Sequence, residues 1–193
     1  MLIIGLSGKF GSGKDFIGKN VLAEYLKKYY PNIIVNFLSF ADPLKLYVIK
    51  KYSLTQEDVY PPSGYNKTEY IREILQKEGE FYRDISTDYW IQLYDQMIKT
   101  FEESGTHVLI TCDVRFPNEM EYIRSRNGLI CKVYAPNRTY KTTNKELMKH
   151  ESECGLDHIR DEQYDYIFIN NEYLSNVNEA ELKYKDFLKR IFL

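Results

Sequence analysis

Gly8 and the Gly13-Lys14 pair stand at the spacing G-x-x-x-x-G-K. They follow a short apolar run, Leu2-Ile3-Ile4-Gly5-Leu6, and a helical pattern begins straight after them. No other feature narrows the fold so far. A doubly buried strand, a glycine turn and a helix opening without a spacer wrap backbone N–H groups around one anion. The new helix adds the positive end of its dipole. Lys14 then stands where an ammonium reaches the β- and γ-phosphates of a nucleoside triphosphate. A plain glycine turn ahead of a surface helix is the competing reading, and it gives no reason for a lysine at the helix start. One position departs from the standard pattern: Asp15 replaces the Ser or Thr whose hydroxyl holds Mg2+. A carboxylate there either holds the metal through a water or caps the helix.

The apolar period extends the pattern. Ile17, Val21, Leu22, Tyr25, Leu26 and Tyr29 recur at helical spacing until Pro31, and residues 33–37 read as a second strand. Strand, loop, helix and strand in that order call for a parallel sheet covered by helices. Pro43 suits the first turn of a helix that follows the second strand. Residues 53–66, with Pro61-Pro62 and Ser63-Gly64, read as an irregular loop near a cleft, either a lid or a plain surface loop. Helices are expected over 68–81 and 88–101, the second packing Trp90, Leu93, Tyr94, Met97 and Phe101 into the core. Residues 107–112 form the third strand. Asp113 at its tip suggests a second acidic site around Mg2+, with a helix N-cap as the alternative. Strands over 129–134 and 166–169 follow. A last helix over 178–192 turns Ala180, Tyr184, Phe187, Leu188, Ile191 and Phe192 inward.

Composition excludes several classes. The 193 residues carry a formal net charge of −2, without the basic excess of a general nucleic-acid binder. The 18 Tyr and 10 Phe are scattered rather than set along a basic groove. No apolar run approaches the roughly 18 residues of a membrane span, and the chain leads straight into a strand, so neither a span nor a signal peptide is expected. Cys112, Cys131 and Cys154 are too widely spaced for a metal knuckle, and their odd number gives no disulfide framework, which points to a reducing compartment. His107, His150 and His158 make no zinc pattern.

Two families share these motifs. The chain resembles deoxynucleoside monophosphate kinases of large phages and viruses in Ser7-Gly8, Ser12-Gly13-Lys14-Asp15, Leu75-Gln76-x-x-Gly79 followed by Arg83, Asp113-x-Arg115-Phe116-Pro117-Asn118-Glu119 and His150-x-Ser152-Glu153. It is also similar to animal-type phosphomevalonate kinases at Ser7-Gly8-Lys9, Ser12-Gly13-Lys14-Asp15-Phe16, Asp113-x-Arg115 and the run Glu151-Ser152-Glu153-Cys154-Gly155-Leu156-Asp157. Glu80 departs from the Thr that often follows the glycine in the phage enzymes.

Both resemblances imply an α/β P-loop kinase sandwich with a mostly parallel five-stranded sheet, nucleoside monophosphate kinase-like. A single domain is expected over 1–193, with mobile segments near 53–66 and 136–153. They imply ATP and Mg2+ as cofactors, held by Gly8, Lys9, Phe10, Gly11, Ser12, Gly13, Lys14, Asp15 and Phe16, with Asp15 and Asp113 toward the metal. Lys14, Asp113, Arg115 and Arg138 are the expected catalytic set, Arg138 acting from a lid. The acceptor is expected to be a deoxynucleoside monophosphate bound by Lys45, Arg72, Gln76, Arg83, Arg115 and Glu153. Phosphomevalonate and a non-catalytic protein that retains an ATP fold are the alternatives. The expected partner is a small-molecule substrate, not nucleic acid or a membrane; a homodimer is left open. The expected location is the cytoplasm, that of the host if the protein is viral.

Overall fold

Residues 2–6 are apolar without alternation because the strand they form is covered on both faces. That strand is β1 (Leu2–Ser7), in which Ile3, Ile4 and Leu6 are buried. The computed structural model describes residues 1–61, 67–137, 151–171 and 177–192. It divides into two compact units, one of Met1–Leu38 with Phe101–Leu193 and one of Ser39–Thr100.

In the first unit β1 is joined by β2 (Val35–Phe37), β3 (Val108–Val114), β4 (Leu129–Tyr134) and β5 (Tyr166–Ile169). The sheet order is β2-β3-β1-β4-β5 and every neighbouring pair is parallel. The chain leaves β1 at the centre and builds outward on both sides, so the carboxyl end of β1 is the switch point where such sheets bind ligands. The helix expected over 14–30 is present as α1 (Lys14–Phe16), a π-helical stretch Ile17–Leu22 and α2 (Ala23–Tyr29). The wider π turns bury two adjacent pairs, Ile17 with Gly18 and Val21 with Leu22. Ile17, Val21, Leu22 and Leu26 pack with Ile4, Leu6, Ile110, Cys131 and Phe168 in one core cluster. The last helix, numbered α9 (Val177–Phe192), adds Ala180, Tyr184, Phe187 and Leu188 to it. The side chains of Ile191 and Phe192 lie outside the described part.

Three expectations are corrected here. The second strand is shorter, because Ile33 N–H closes a turn onto Tyr30 carbonyl at 2.9 Å after Pro31. Asp113 lies inside β3 rather than beyond it. It is not an N-cap: the following helix, α7 (Pro117–Ser125), has Phe116 at that position.

The second unit contains α3 (Asp42–Tyr52), α4 (Gln56–Val59), α5 (Glu69–Ile85) and most of α6 (Tyr89–Glu103). Leu44, Val48, Ile74 and Trp90 form its core. The stretch read as wholly irregular carries α4, because Thr55 and Asp58 cap it reciprocally: Asp58 N–H donates to Thr55 Oγ1 at 3.2 Å and Thr55 N–H to Asp58 Oδ2 at 2.8 Å. Residues 62–66, Tyr65 among them, lie outside the described part. In α6 the buried seam is Trp90, Ile91, Tyr94 and Ile98, while Leu93, Met97 and Phe101 are half-buried. The inward face is thus rotated from the expected stripe. The remaining short helix, α8 (Glu151–Cys154), belongs to the first unit. No helix among the described residues is long and apolar enough to cross a membrane.

Candidate functional site

The loop between β1 and α1 owes its path to glycine. Gly8 at φ 153° and Gly13 at φ 89° hold conformations that side chains resist. A Cβ on Gly8 would come within 2.4 Å of the Val133 carbonyl oxygen and 2.8 Å of Ser12 Oγ. Gly13 is also the N-cap of α1, and no side chain caps the helix there. Asp15 is therefore not the cap. Its side chain is 76% exposed, with its carboxylate 3.8 Å from Lys19.

Lys14 is buried and folds back over the loop. Its Nζ donates to Gly8 carbonyl at 2.6 Å and to Lys9 carbonyl at 3.0 Å. Burial, then the positive charge of Arg115, lowers its pKa to about 8 against the pull of Glu153, Asp15 and Asp113. Lys14 therefore stays mostly protonated at neutral pH, and an anion bound beside it would raise its pKa again.

Beneath the loop, Ser12 Oγ is buried with no hydrogen-bond partner among the described residues. Asn170, fully buried after β5, donates from Nδ2 to Ser12 carbonyl at 2.8 Å and leaves its own Oδ1 unpartnered. No motif in the sequence marks Asn170 for this tie. Only its place directly after an apolar strand hints at it.

The end of β3 brings Asp113 and Arg115 beside the loop. Arg115 Nη1 donates to Ser152 carbonyl at 2.8 Å and pairs with Glu153 Oε1. Burial alone would lower the Arg115 pKa, but Glu153 and Asp113 outweigh it and raise it. The turn itself is held by Glu119, whose Oε2 accepts from Arg115 N–H at 2.7 Å and Phe116 N–H at 3.1 Å. Burial and the charge of Asp113 push Glu119 up to about 8. Glu119 was part of a motif in sequence but had no role there. Glu153 Oε2 accepts from the loop amide of Phe10 at 3.0 Å, its carbonyl accepts from Lys9 Nζ at 2.7 Å, and Lys9 also pairs with Asp157.

These residues fit a polyphosphate: a cradle that a Cβ would fill, an orphaned buried hydroxyl below it, and Lys9, Lys14 and Arg115 around it. For a metal the fit is partial. Among the described residues no group of three or more His, Cys, Asp or Glu forms a cage. Asp15 and Asp113 match a Mg2+ ion that takes one or two carboxylates and completes its shell with water and phosphate oxygens.

Lys45, Arg72, Gln76 and Arg83 belong to the second unit. Lys45 pairs with Asp42 at 2.9 Å and lies over the Tyr60 ring, 4.7 Å from its centroid. Arg72 Nε donates to Lys67 carbonyl at 3.4 Å, and Gln76 is half-buried on α5. A Cβ on Gly79, one turn before Arg83, would stand 3.2 Å from the guanidinium and 3.2 Å from Leu44, so those side chains would have to give by a few tenths of an ångström. The Gly79 carbonyl accepts from Trp90 Nε1 at 3.1 Å. Arg138 and His150 lie outside the described residues.

A parallel sheet in the order β2-β3-β1-β4-β5, with a glycine phosphate loop after its central strand, is the α/β fold of P-loop kinases. No protein-family model matches the chain. It is 26% identical over 196 aligned positions to an Acanthamoeba polyphaga mimivirus protein named "Putative deoxynucleotide monophosphate kinase", the match covering 89% of this chain and 90% of that one. Among solved structures it is similar to TT1252 from Thermus thermophilus, at TM-score 0.50 and 14% identity over 100% of this chain and 98% of that one. It is also similar to a shikimate kinase from Bacteroides thetaiotaomicron, at TM-score 0.44 and 18% identity over 100% and 99%.

Proposed function

We propose that this protein transfers the γ-phosphoryl group of ATP, bound with Mg2+, to the phosphate of a deoxynucleoside 5′-monophosphate. The observation that carries the kinase reading is the buried Lys14 ammonium over a glycine loop, with Arg115 and Asp113 at its rim. The choice of acceptor is supported by the mimivirus relative, whose alignment runs nearly end to end.

Phosphoryl transfer asks the protein for positioning and charge neutralisation more than for covalent chemistry. Lys14 neutralises charge on the transferring group and the departing diphosphate. Arg115 offers a planar fork to two phosphate oxygens, from the end of a strand that holds its backbone still. Arg138 is assigned to the transferring phosphate as well, as a lid arginine. Asp15 and Asp113 would hold Mg2+, which when bound supplies further charge neutralisation. The acceptor oxygen is already anionic, so no residue acts as general base. Arg83 is the first candidate for the acceptor phosphate, with Lys45, Arg72 and Gln76 as further contacts.

The test is release of ADP from ATP–Mg2+ with dTMP, dGMP, dCMP, dAMP or phosphomevalonate supplied separately. The expected result is release with at least one deoxynucleotide, strongly reduced in Arg83→Ala and Arg115→Ala. Release with phosphomevalonate alone replaces the acceptor, and release with none of the five overturns the enzymatic reading.

A further inference from the structure

We infer that Glu153 is a positioning residue for Arg115 whose carboxylate occupies, at the phosphate loop, the place of a nucleotide phosphate oxygen until ATP displaces it. This rests on the ATP reading above. A glycine loop offers its amides to an anion, and here the anion is supplied by the chain itself: Glu153 Oε2 accepts from Phe10 N–H at 3.0 Å. The other carboxylate oxygen pairs with Arg115, whose guanidinium is also fixed by Ser152 carbonyl at 2.8 Å. Lys9 Nζ closes the arrangement on Glu153 carbonyl at 2.7 Å. The backbone that follows is seated as firmly: a Cβ on Gly155 would come within 2.7 Å of Arg115 carbonyl. The Glu153 side chain is 12% exposed and the Arg115 side chain 31%, so little water screens the pair.

One carboxylate therefore does two opposed things. It competes with polyphosphate for a loop amide and repels it. It also keeps Arg115 beside the loop, where the transferring group will be. Removing its charge without its bulk separates the two effects. In Glu153→Gln the competing anion is gone and Arg115 has lost its charged anchor, so nucleotide binds more tightly while transfer slows. A side chain that only supported the fold would move both quantities the same way.

The experiment measures binding of inorganic triphosphate and of ATP–Mg2+ by calorimetry, together with kcat for the best acceptor of the panel or for ATP hydrolysis. It compares wild type, Glu153→Gln, Glu153→Asp and Asp161→Asn. Asp161 pairs with Lys132 on an exposed stretch and controls for the loss of one negative charge. Glu153→Gln is expected to bind both ligands about threefold to tenfold more tightly and to lose about tenfold or more in kcat. Glu153→Asp keeps the charge and stays nearer wild type in affinity, and Asp161→Asn stays within about twofold in both. Unchanged or weaker binding in Glu153→Gln, or unchanged kcat, overturns the inference while leaving the ATP reading intact. Failure of wild type to bind either ligand overturns the ATP reading and this inference with it.

Discussion

Two buried glutamates show how differently the two units use charge. Glu78, in α5 of the second unit, is 5% exposed; Glu119, at the start of α7 in the first, is 7% exposed. Glu78 Oε1 accepts from Lys51 Nζ at 2.6 Å and from Tyr52 Oη. Burial pushes its pKa up, but these partners outweigh burial and hold it below 4.5. Around it Tyr82 stacks on Tyr89 with ring centroids 4.5 Å apart, and Trp90 donates to Gly79 carbonyl. That charge is matched and serves the packing. Glu119 accepts two backbone amides, yet burial and the nearby Asp113 push it up to about 8, while a few residues away in space Lys14 is lowered to about 8. Burial thus disfavours the charged form of both groups, whereas the partners of Glu78 keep its charged form favoured.

The largest break in the comparison is Lys14→Ala. Phosphoryl transfer is expected to fall by about 10³-fold or more, while the thermal midpoint stays level or rises, because a buried and partly uncompensated ammonium has been removed. Turnover and a melting curve on the same preparation check both halves. Turnover within about threefold of wild type would remove Lys14 from the mechanism.

The two glutamates sharpen it through pH. A carboxyl raised above its unfolded value contributes stability that is complete below pH 4.5 and is lost as pH rises through about 8. A lowered carboxyl contributes stability that is present above 4.5 and is lost as pH falls through its depressed value. Glu119→Gln should therefore gain on wild type between pH 5 and 8, by up to about 1.4 kcal/mol per pH unit. Glu78→Gln should be less stable than wild type throughout that window with a flat difference. Denaturant titrations at pH 5, 6, 7 and 8 measure both. A flat difference for Glu119→Gln would mean that its carboxyl is ionised in the folded protein.

Asp15→Asn is the smallest change. Gly13 holds the N-cap and the Asp15 carboxylate faces solvent, so stability should shift by less than about 0.5 kcal/mol. If Asp15 reaches Mg2+, activity falls and is partly restored by added Mg2+. Identical Mg2+ titration curves for the two proteins would take Asp15 out of the metal site.

Much of this was legible along the chain, because it depends on neighbours in sequence. The G-x-x-x-x-G-K spacing, the apolar strand before it and the helical period after it require nothing distant, and β4 and β5 fall where their apolar runs predict. Motif residues such as Lys14, Asp113 and Arg115 stand out for the same reason. Where an element ends was less legible: Asp113 joined β3, and α4 formed inside a stretch rich in turn residues, because a capping box outweighed composition. What only the tertiary structure decided are the pairings across long separations. Glu153 reaches the Phe10 amide and Asn170 reaches the Ser12 carbonyl. The motif around Glu153 does not say which amide it meets, and no motif contains Asn170. Their partners and their loss of water are set by which strand ends meet at the switch point of the sheet. Charge and hydrogen bonding depend on that environment, whereas hydrophobic period and glycine spacing do not.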